Sequence, residues 1–363
     1  MNNENQTIHK SDDNLTIYGW NEKLNQLKQE SIYSTLAHGR VSIVHRTCYE
    51  VISGNGLFQC ELTGNMMYGK SDDELPCTGD WVIFQPFDEH KGIIVDSLPR
   101  ERTLYRKKSG TVADKQAIAS YVDKAFIVQS LDDNFNVRRV ERFMVQIMEE
   151  NISSVLVLNK ADLDFDRQSV EEQIKHISSQ IPVFFTSIHQ LETIVRLRKS
   201  ISEGETVVFV GSSGVGKSSL VNALCEKPVL LTSDISLSTG KGRHTSTRRE
   251  MVLMDSSGVL IDTPGVREFG LAIDNPDSLA EVLEISDYAE SCRFKDCKHI
   301  NEPGCAVLEA ANSGVLDYKV YASYLKLRRE AWHFSASEHE KRKKEKSFTK
   351  FVEEVKNRKD ANR

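Results

Sequence analysis

From about residue 35 to Pro99 the chain alternates apolar and polar positions in short runs broken by Gly, Asn and Asp. Arg40–His45, Tyr49–Ser53, Leu57–Leu62, Asp80–Phe84 and Gly92–Val95 each read as a strand, because strand side chains point alternately to opposite faces. Such closely spaced runs predict a small all-β barrel of the OB type, bounded here at residues 35–108. The pattern then changes. Ala125–Gln129, Val155–Leu158, Pro182–Phe185, Val207–Val210 and Gly258–Asp262 are short apolar strands, and helical stretches such as Val137–Glu150 lie between them. That alternation predicts a doubly wound α/β domain over residues 109–274. After Pro276 the pattern turns helical and cysteine-bearing, giving a small α-helical domain over 275–363. Residues 1–34 read as a polar N-terminal extension, and Pro99–Lys108 as a basic linker. No internal repeat or long low-complexity segment is present.

Composition narrows the classes. The 363 residues are 39% hydrophobic, enough for packed cores, and no apolar run approaches membrane-spanning length. The N-terminus lacks the apolar core of a signal peptide, so a cytoplasmic protein is expected. Seven cysteines, an odd number, without an export signal favour metal ligation or free thiols over a disulfide framework. Net charge is −6, yet Lys319–Arg363 holds fourteen Lys/Arg against seven Asp/Glu, densest at Lys341–Lys344. That run is either a solvated helix face or a phosphate-contacting arm. Arg40, His45, Arg46 and Trp81 in the barrel have the same two readings, structural or nucleic-acid-contacting. Nothing suggests an obligate dimer, and a monomer is expected. The absence of an amphipathic anchor argues against membrane work.

The chemistry lies in three loops that follow strands. Gly211-Ser212-Ser213-Gly214-Val215-Gly216-Lys217-Ser218 follows Val207–Val210 and opens a helix through Ser219. Its glycines let backbone N–H groups cradle phosphate at a helix N-terminus. Lys217 then reaches the β- and γ-phosphates, and the Ser218 hydroxyl ligates Mg²⁺. Asp262-Thr263-Pro264-Gly265 places a carboxylate for the Mg²⁺ shell and a glycine N–H for the γ-phosphate. Asn159-Lys160-Ala161-Asp162 follows Val155–Leu158. Asp162 can accept both guanine donors, N1–H and the 2-amino group, a pair adenine lacks, so the nucleotide is GTP or GDP. Asn159 braces this loop and the Lys160 stem lies along the base. Ser187 ends the strand whose backbone faces the guanine carbonyl. An ordinary GTPase presents the phosphate loop first and the guanine motif last. The rotated order here predicts a circularly permuted GTPase.

Cys292-x4-Cys297-x-His299-x5-Cys305 puts three thiols and an imidazole within fourteen residues. Borderline-soft Zn²⁺ prefers such a tetrahedral set, and four protein ligands leave no open position, so the site is read as structural.

Barrel, permuted motifs and Cys₃His set together resemble the ribosome small-subunit-dependent GTPases of the RsgA family over nearly the whole chain from Trp20. Thr78–Val82, Gln116–Asp123 and Asp262–Gly270 also agree. The resemblance implies a GTPase that binds the small ribosomal subunit and its 16S rRNA, is stimulated by it and acts late in its maturation. The position after Asp-x-x-Gly, often a water-orienting Gln, is Val266 here. Val266 can neither donate to water nor accept from it, so slow intrinsic turnover is expected. The resemblance assigns hydrolysis to His244 in Gly242–Thr247, the switch I segment, where Thr245 to Thr247 sense Mg²⁺ and γ-phosphate. Without the resemblance His244 has two readings, the group that orients water in place of Val266 or a solvent-exposed loop residue. The family usually has three threonines there, and Ser246 is the middle residue in this chain. The permutation sends the Gly265 loop straight into the zinc domain, so a γ-phosphate-dependent move can displace that domain, closing a clamp on ribosomal RNA. Two rivals remain. One is a nucleotide-gated RNA-binding scaffold whose hydrolysis is incidental, and the other a GTPase serving a different RNA or a membrane process.

Overall fold

A computed structural model of the chain describes residues 14–107, 115–226, 229, 250–255, 258–263 and 277–335. These fall into two compact units, one reaching to residue 263 and the other covering 277–335.

In the first unit the alternating runs form β1 (Ala37–Val44), β2 (Tyr49–Ser53), β3 (Gly56–Leu62), β4 (Trp81–Asp88) and β5 (Lys91–Ser97). β1 pairs with β2, β2 with β3, β3 in parallel with β5, β5 with β4, and β4 again with β1, so the sheet closes into the predicted barrel. Val41, Val51, Phe58, Cys60, Phe84 and Ile94 fill it.

The segment expected as a polar extension is, from residue 14, a cover for this barrel. Leu15, Trp20 and Leu24 are buried in one cluster with Trp81, Ile83, Leu98 and Tyr121. Asn21 caps α1 (Glu22–Glu30) by accepting from the Leu24 N–H, which fixes the first turn over that cluster. Tyr18, Leu27, Tyr33 and Leu36 pack against the same cluster, so apolar positions scattered through a largely polar segment are enough to dock it.

Two of the barrel residues left with two readings are buried: Arg40 is 1% exposed and Trp81 also 1%. Arg40 Nε donates to Gly79 O (3.0 Å), Nη1 to Thr206 Oγ1 (2.9 Å), and Nη2 to Tyr121 O (3.3 Å). Burial lowers its pKa to about 10, against the pull of Asp123, so it stays charged at neutral pH as a structural clamp. His45 pairs with Glu50 at 2.7 Å, and Arg46 is exposed. The basic linker is also structured. Arg100 pairs with the buried Asp80, and β6 (Leu104–Lys107) pairs with β7 (Lys115–Ala119).

β8 (Lys124–Ser130), β9 (Ser153–Asn159), β10 (Val183–Thr186), β11 (Thr206–Val210) and β13 (Val259–Asp262) are parallel neighbours in the order β10-β9-β8-β11-β13. α3 (Val137–Glu149) packs on β8 and β9, following α2 (Gly64–Gly69) of the barrel. α4 (Arg167–Gln173) and α5 (Lys175–Ser178) precede β10. α6 (Leu191–Arg198) and α7 (Lys217–Leu224) bury Ile194, Leu197, Leu220 and Leu224 against Phe126, Val157 and Phe209. β12 (Glu250–Leu253) runs antiparallel to β13 and also meets β1, so barrel and nucleotide sheet are one continuous eleven-stranded sheet.

The second unit holds α8 (Asp277–Val282), α9 (Ser286–Ala289), α10 (Ala306–Ser313) and α11 (Tyr318–Ser335). Leu279, Ile285, Val307, Tyr321, Tyr324 and Leu327 are among its buried residues. Among the described residues no helix is long and apolar enough to cross a membrane.

Candidate functional site

Every residue of β11 is buried, and the strand delivers Gly211 to the carboxyl edge of the sheet, where α/β ligands bind. Gly211, Gly214 and Gly216 have φ of 152°, 84° and 94°, values that side-chain-bearing residues adopt at a cost. A Cβ on Gly211 would lie 2.4 Å from Val128 O, and one on Gly216 would lie 2.3 Å from Asn159 Nδ2. The loop therefore closes on strands β8 and β9 only with glycine at those places. Gly216 enters α7 without a side-chain cap, which leaves the first helical N–H groups to an anion.

Lys217 Nζ donates to Gly211 O and Ser212 O, each at 2.9 Å, so its side chain wraps the loop. Ser218 Oγ donates to Asp262 Oδ2 at 3.2 Å. Burial lowers the Lys217 pKa, with Asp262 pulling the other way. Burial likewise raises that of Asp262, against Lys217 and Ser218. Asp262 Oδ1 is buried, with no hydrogen-bond partner among the described residues. That orphan oxygen beside the Ser218 hydroxyl is the hard-oxygen set Mg²⁺ takes, and these two residues would hold the ion that shields the phosphates. Thr263 Oγ1 donates to Phe209 O at 2.5 Å, fixing the end of β13 to β11. Ser213 is exposed, Val215 is buried, and Ser219 lies in the first turn of α7.

The loop predicted to read guanine is joined to the predicted phosphate loop through Asn159. Its Nδ2 donates to Val215 O at 2.9 Å, and its Oδ1 accepts from Thr186 Oγ1 at 3.3 Å. Lys160 adopts a left-handed φ of 62° and its Nζ sits 2.8 Å from Asp132 Oδ2. Burial pushes the Asp132 carboxyl up, but hydrogen bonds from Lys160 and Ser130 outweigh it and bring the pKa to about 2. The Ser187 hydroxyl holds the exposed Asp162 carboxyl below the usual carboxylate range, so the two predicted residues come together. The Ser187 N–H itself is taken by Thr193 Oγ1 at 3.0 Å, and its hydroxyl accepts from the His189 N–H. Asp132 escaped the sequence reading. Its signal was an Asp two residues before Asn134 in the short loop ahead of an amphipathic helix, where Asp132 Oδ1 accepts from the Asn134 N–H in an Asx turn.

In the second unit the ligand atoms of Cys292, Cys297, His299 and Cys305 all lie within 4.8 Å of one another. Cys292 Sγ is 3.4 Å from His299 Nδ1 and 3.9 Å from Cys305 Sγ. Tetrahedral ligands about 2.3 Å from zinc stand about 3.8 Å apart, so the donor set fits that ion. Burial raises the Cys292 thiol, yet the N–H groups of Val307 and Ala306 at the start of α10 outweigh it, and its pKa is lowered. Tyr321 OH donates to His299 O at 2.7 Å, holding the imidazole in place. Glu302 accepts from three loop N–H groups, those of Lys298, Ile300 and Asn301, and ties the ligand loop together.

His244, Thr245, Thr247, Gly265, Val266 and the Lys341–Lys344 run lie outside the described residues.

Comparison with known proteins agrees with this geometry. The family model for the RsgA GTPase matches residues 97–272. An ABC transporter model also matches residues 194–359, a span that includes the phosphate loop. The small ribosomal subunit biogenesis GTPase RsgA 1 of Bacteroides thetaiotaomicron is 76% identical over 359 residues, covering 99% of each chain. RsgA of Methanosarcina acetivorans is 38% identical over 338 residues, 90% of this chain and 89% of that one. The crystal structure of YjeQ from Thermotoga maritima has a TM-score of 0.61 at 25% identity, covering 81% of this chain and 98% of its own. YloQ, a circularly permuted GTPase, has a TM-score of 0.60 at 21% identity over 85% and 99% of the two chains, a likeness of fold.

Proposed function

The chain belongs to the RsgA GTPase family, and on that premise we propose that it hydrolyses GTP on the small ribosomal subunit, bound through 16S rRNA, during late maturation of that subunit. The observation that carries the reading is the Asn159–Val215 hydrogen bond, which sets the guanine-reading loop and the phosphate loop into one nucleotide site despite their reversed order. The names of the relatives supply the partner.

In this reading Asp162 reads guanine. Gly211–Ser219 with Lys217 cradles the phosphates, and Ser218 and Asp262 hold Mg²⁺. Thr245 and Thr247 sense the ion and the γ-phosphate. Gly265 donates its N–H to the γ-phosphate, and His244 promotes attack by water. The working division at residues 35, 109 and 275 belongs to the same proposal, with the segment before 35 serving the barrel. So do a monomeric state, a cytoplasmic setting and the absence of a membrane partner. The clamp follows from the permutation, since the Gly265 loop runs directly into the Cys₃His unit.

The test is GTP hydrolysis by purified protein, alone and with small ribosomal subunits. Strong stimulation is expected, and equal rates in both would point to another partner. His244→Ala should lower the stimulated kcat on the order of a hundredfold while leaving GTP affinity in place. Intact biological function in that variant would favour the scaffold reading instead.

A further inference from the structure

Arg139 lies in the first turn of α3, three residues after its cap Asn136, and its Nη1 donates to Ser212 Oγ at 2.9 Å and to Asn134 O at 3.4 Å. Among the described residues no carboxylate pairs with it, whereas Arg100, Arg102, Arg167 and Arg198 each have one. Its place on the helix is also unfavourable. The N-terminus of a helix carries partial positive charge, and α3 has no acidic residue in its first turn to offset Arg138 and Arg139. A local conflict of this kind marks a residue kept for something other than the stability of its own element.

The surroundings indicate what that is. The segment from the end of β8 to Arg139 runs along both halves of the nucleotide site. The Leu131 N–H donates to Asn159 O at 2.9 Å, Asp132 holds Lys160, and Arg139 reaches the phosphate loop at Ser212. Lys217 grips the same residue at its carbonyl, Ser212 O. A permanent guanidinium on this loop, with no carboxylate among the described residues to neutralise it, matches the polyphosphate of a nucleoside di- or triphosphate.

We propose that Arg139 is a positioning residue for the nucleotide: it fixes the Ser212 end of the phosphate loop and keeps an unneutralised positive charge beside the bound phosphates. This rests on the reading of the site as a GTP site. Because the interaction is present whether or not the γ-phosphate is being cleaved, it supports binding more than turnover.

The test uses the full chain, with fluorescent GTP and GDP analogues as probes, on wild type, Arg139→Ala, Arg139→Lys, Ser212→Ala and the Arg139→Ala/Ser212→Ala pair. A hydrogen bond from a charged donor supports a loss of about tenfold or more in affinity for Arg139→Ala, appearing in KM with kcat little changed. Lysine at 139 keeps the charge and should recover most of that loss. The double variant should bind no worse than the weaker single one, since both changes cut the same link. Melting temperature should hold steady or rise in Arg139→Ala, because removing the charge relieves the conflict with the helix dipole. Binding within twofold of wild type would overturn the proposal, as would additive losses or a fall in stability that tracks the affinity. Failure of the wild type itself to bind either analogue would overturn the underlying GTP reading instead.

Discussion

The nucleotide site and the Cys₃His cluster hold their chemistry in opposite ways. At the nucleotide site the functional loops sit on the rim of a sheet whose strands are already buried. Val207, Val208, Phe209 and Val210 behind the phosphate loop are all 0% exposed. Removing an exposed functional side chain there, such as that of Asp162, leaves the core untouched. In the ligand loop, by contrast, Cys297, His299 and Cys305 are the only buried residues between Glu290 and Cys305. There the ligands are the core. One site is carried by a fold that stands without it, and the other is itself what folds its loop.

This contrast can be attacked at its strongest point by taking the metal away. Chelation, or Cys297→Ser, should remove bound zinc and collapse amide protection across 290–305, a loss on the order of 10 kcal/mol of metal-linked folding energy. Protection of β8, β9 and β11 should stay unchanged. Persistent protection in the chelated loop would show that something other than the ligands orders it. Next in size, Lys217→Ala removes a charged donor from the phosphates and should weaken GTP binding roughly a hundredfold, about 3 kcal/mol. Its circular dichroism and denaturant midpoint should stay close to wild type, and a large drop in midpoint would contradict the idea of a self-sufficient sheet. Asp162→Ala comes third. It should reduce the preference for GTP over ATP by about thirtyfold, measured by competition, with stability unmoved because Asp162 is exposed.

The smallest effect concerns Asp132. Its folded pKa of about 2 lies below its ordinary 3.8, so the stability it contributes is fully present above pH 3.8 and disappears as pH falls toward 2. Asp132→Asn should therefore be slightly less stable than wild type at neutral pH and converge with it near pH 2. It should also bind GTP a few-fold more weakly as Lys160 loses its anchor. Parallel stability curves down to pH 2 would remove Asp132 from this role.

Much of this was legible in the sequence because the relevant signals are local. Gly211, Gly214 and Gly216 mark a loop that needs left-handed backbone, and the flanking apolar run and helix give its setting without any long-range knowledge. The four zinc ligands sit within one short stretch for the same reason. What escaped is long-range. Arg40 carried both a structural and a nucleic-acid-contacting reading, and what decides between them is the carbonyls and hydroxyl that residues 79, 121 and 206 bring to its donors. The burial of Leu15, Trp20 and Leu24 has no periodicity to announce it, since they face one cluster from a turn and a short helix. Arg139 and Asp132 likewise acquire meaning only when β8 and α3 bring them to loops 73 and 28 residues further along the chain.

The pairing of β1 with β12 sets a limit on how the molecule can be divided. β12 would otherwise be the bare margin of the nucleotide sheet, a row of unpaired peptide groups of the kind that recruits other chains and drives aggregation. The barrel meets that margin where Ile43 pairs with Glu250, and Arg40 fastens the same strand β1 to the start of β11. A fragment trimmed to the GTPase portion alone would expose the margin and lose the cation bound to Thr206. The barrel thus acts as guardian of the sheet that carries the nucleotide, and a chain cut at residue 109 should precipitate where the intact one stays in solution.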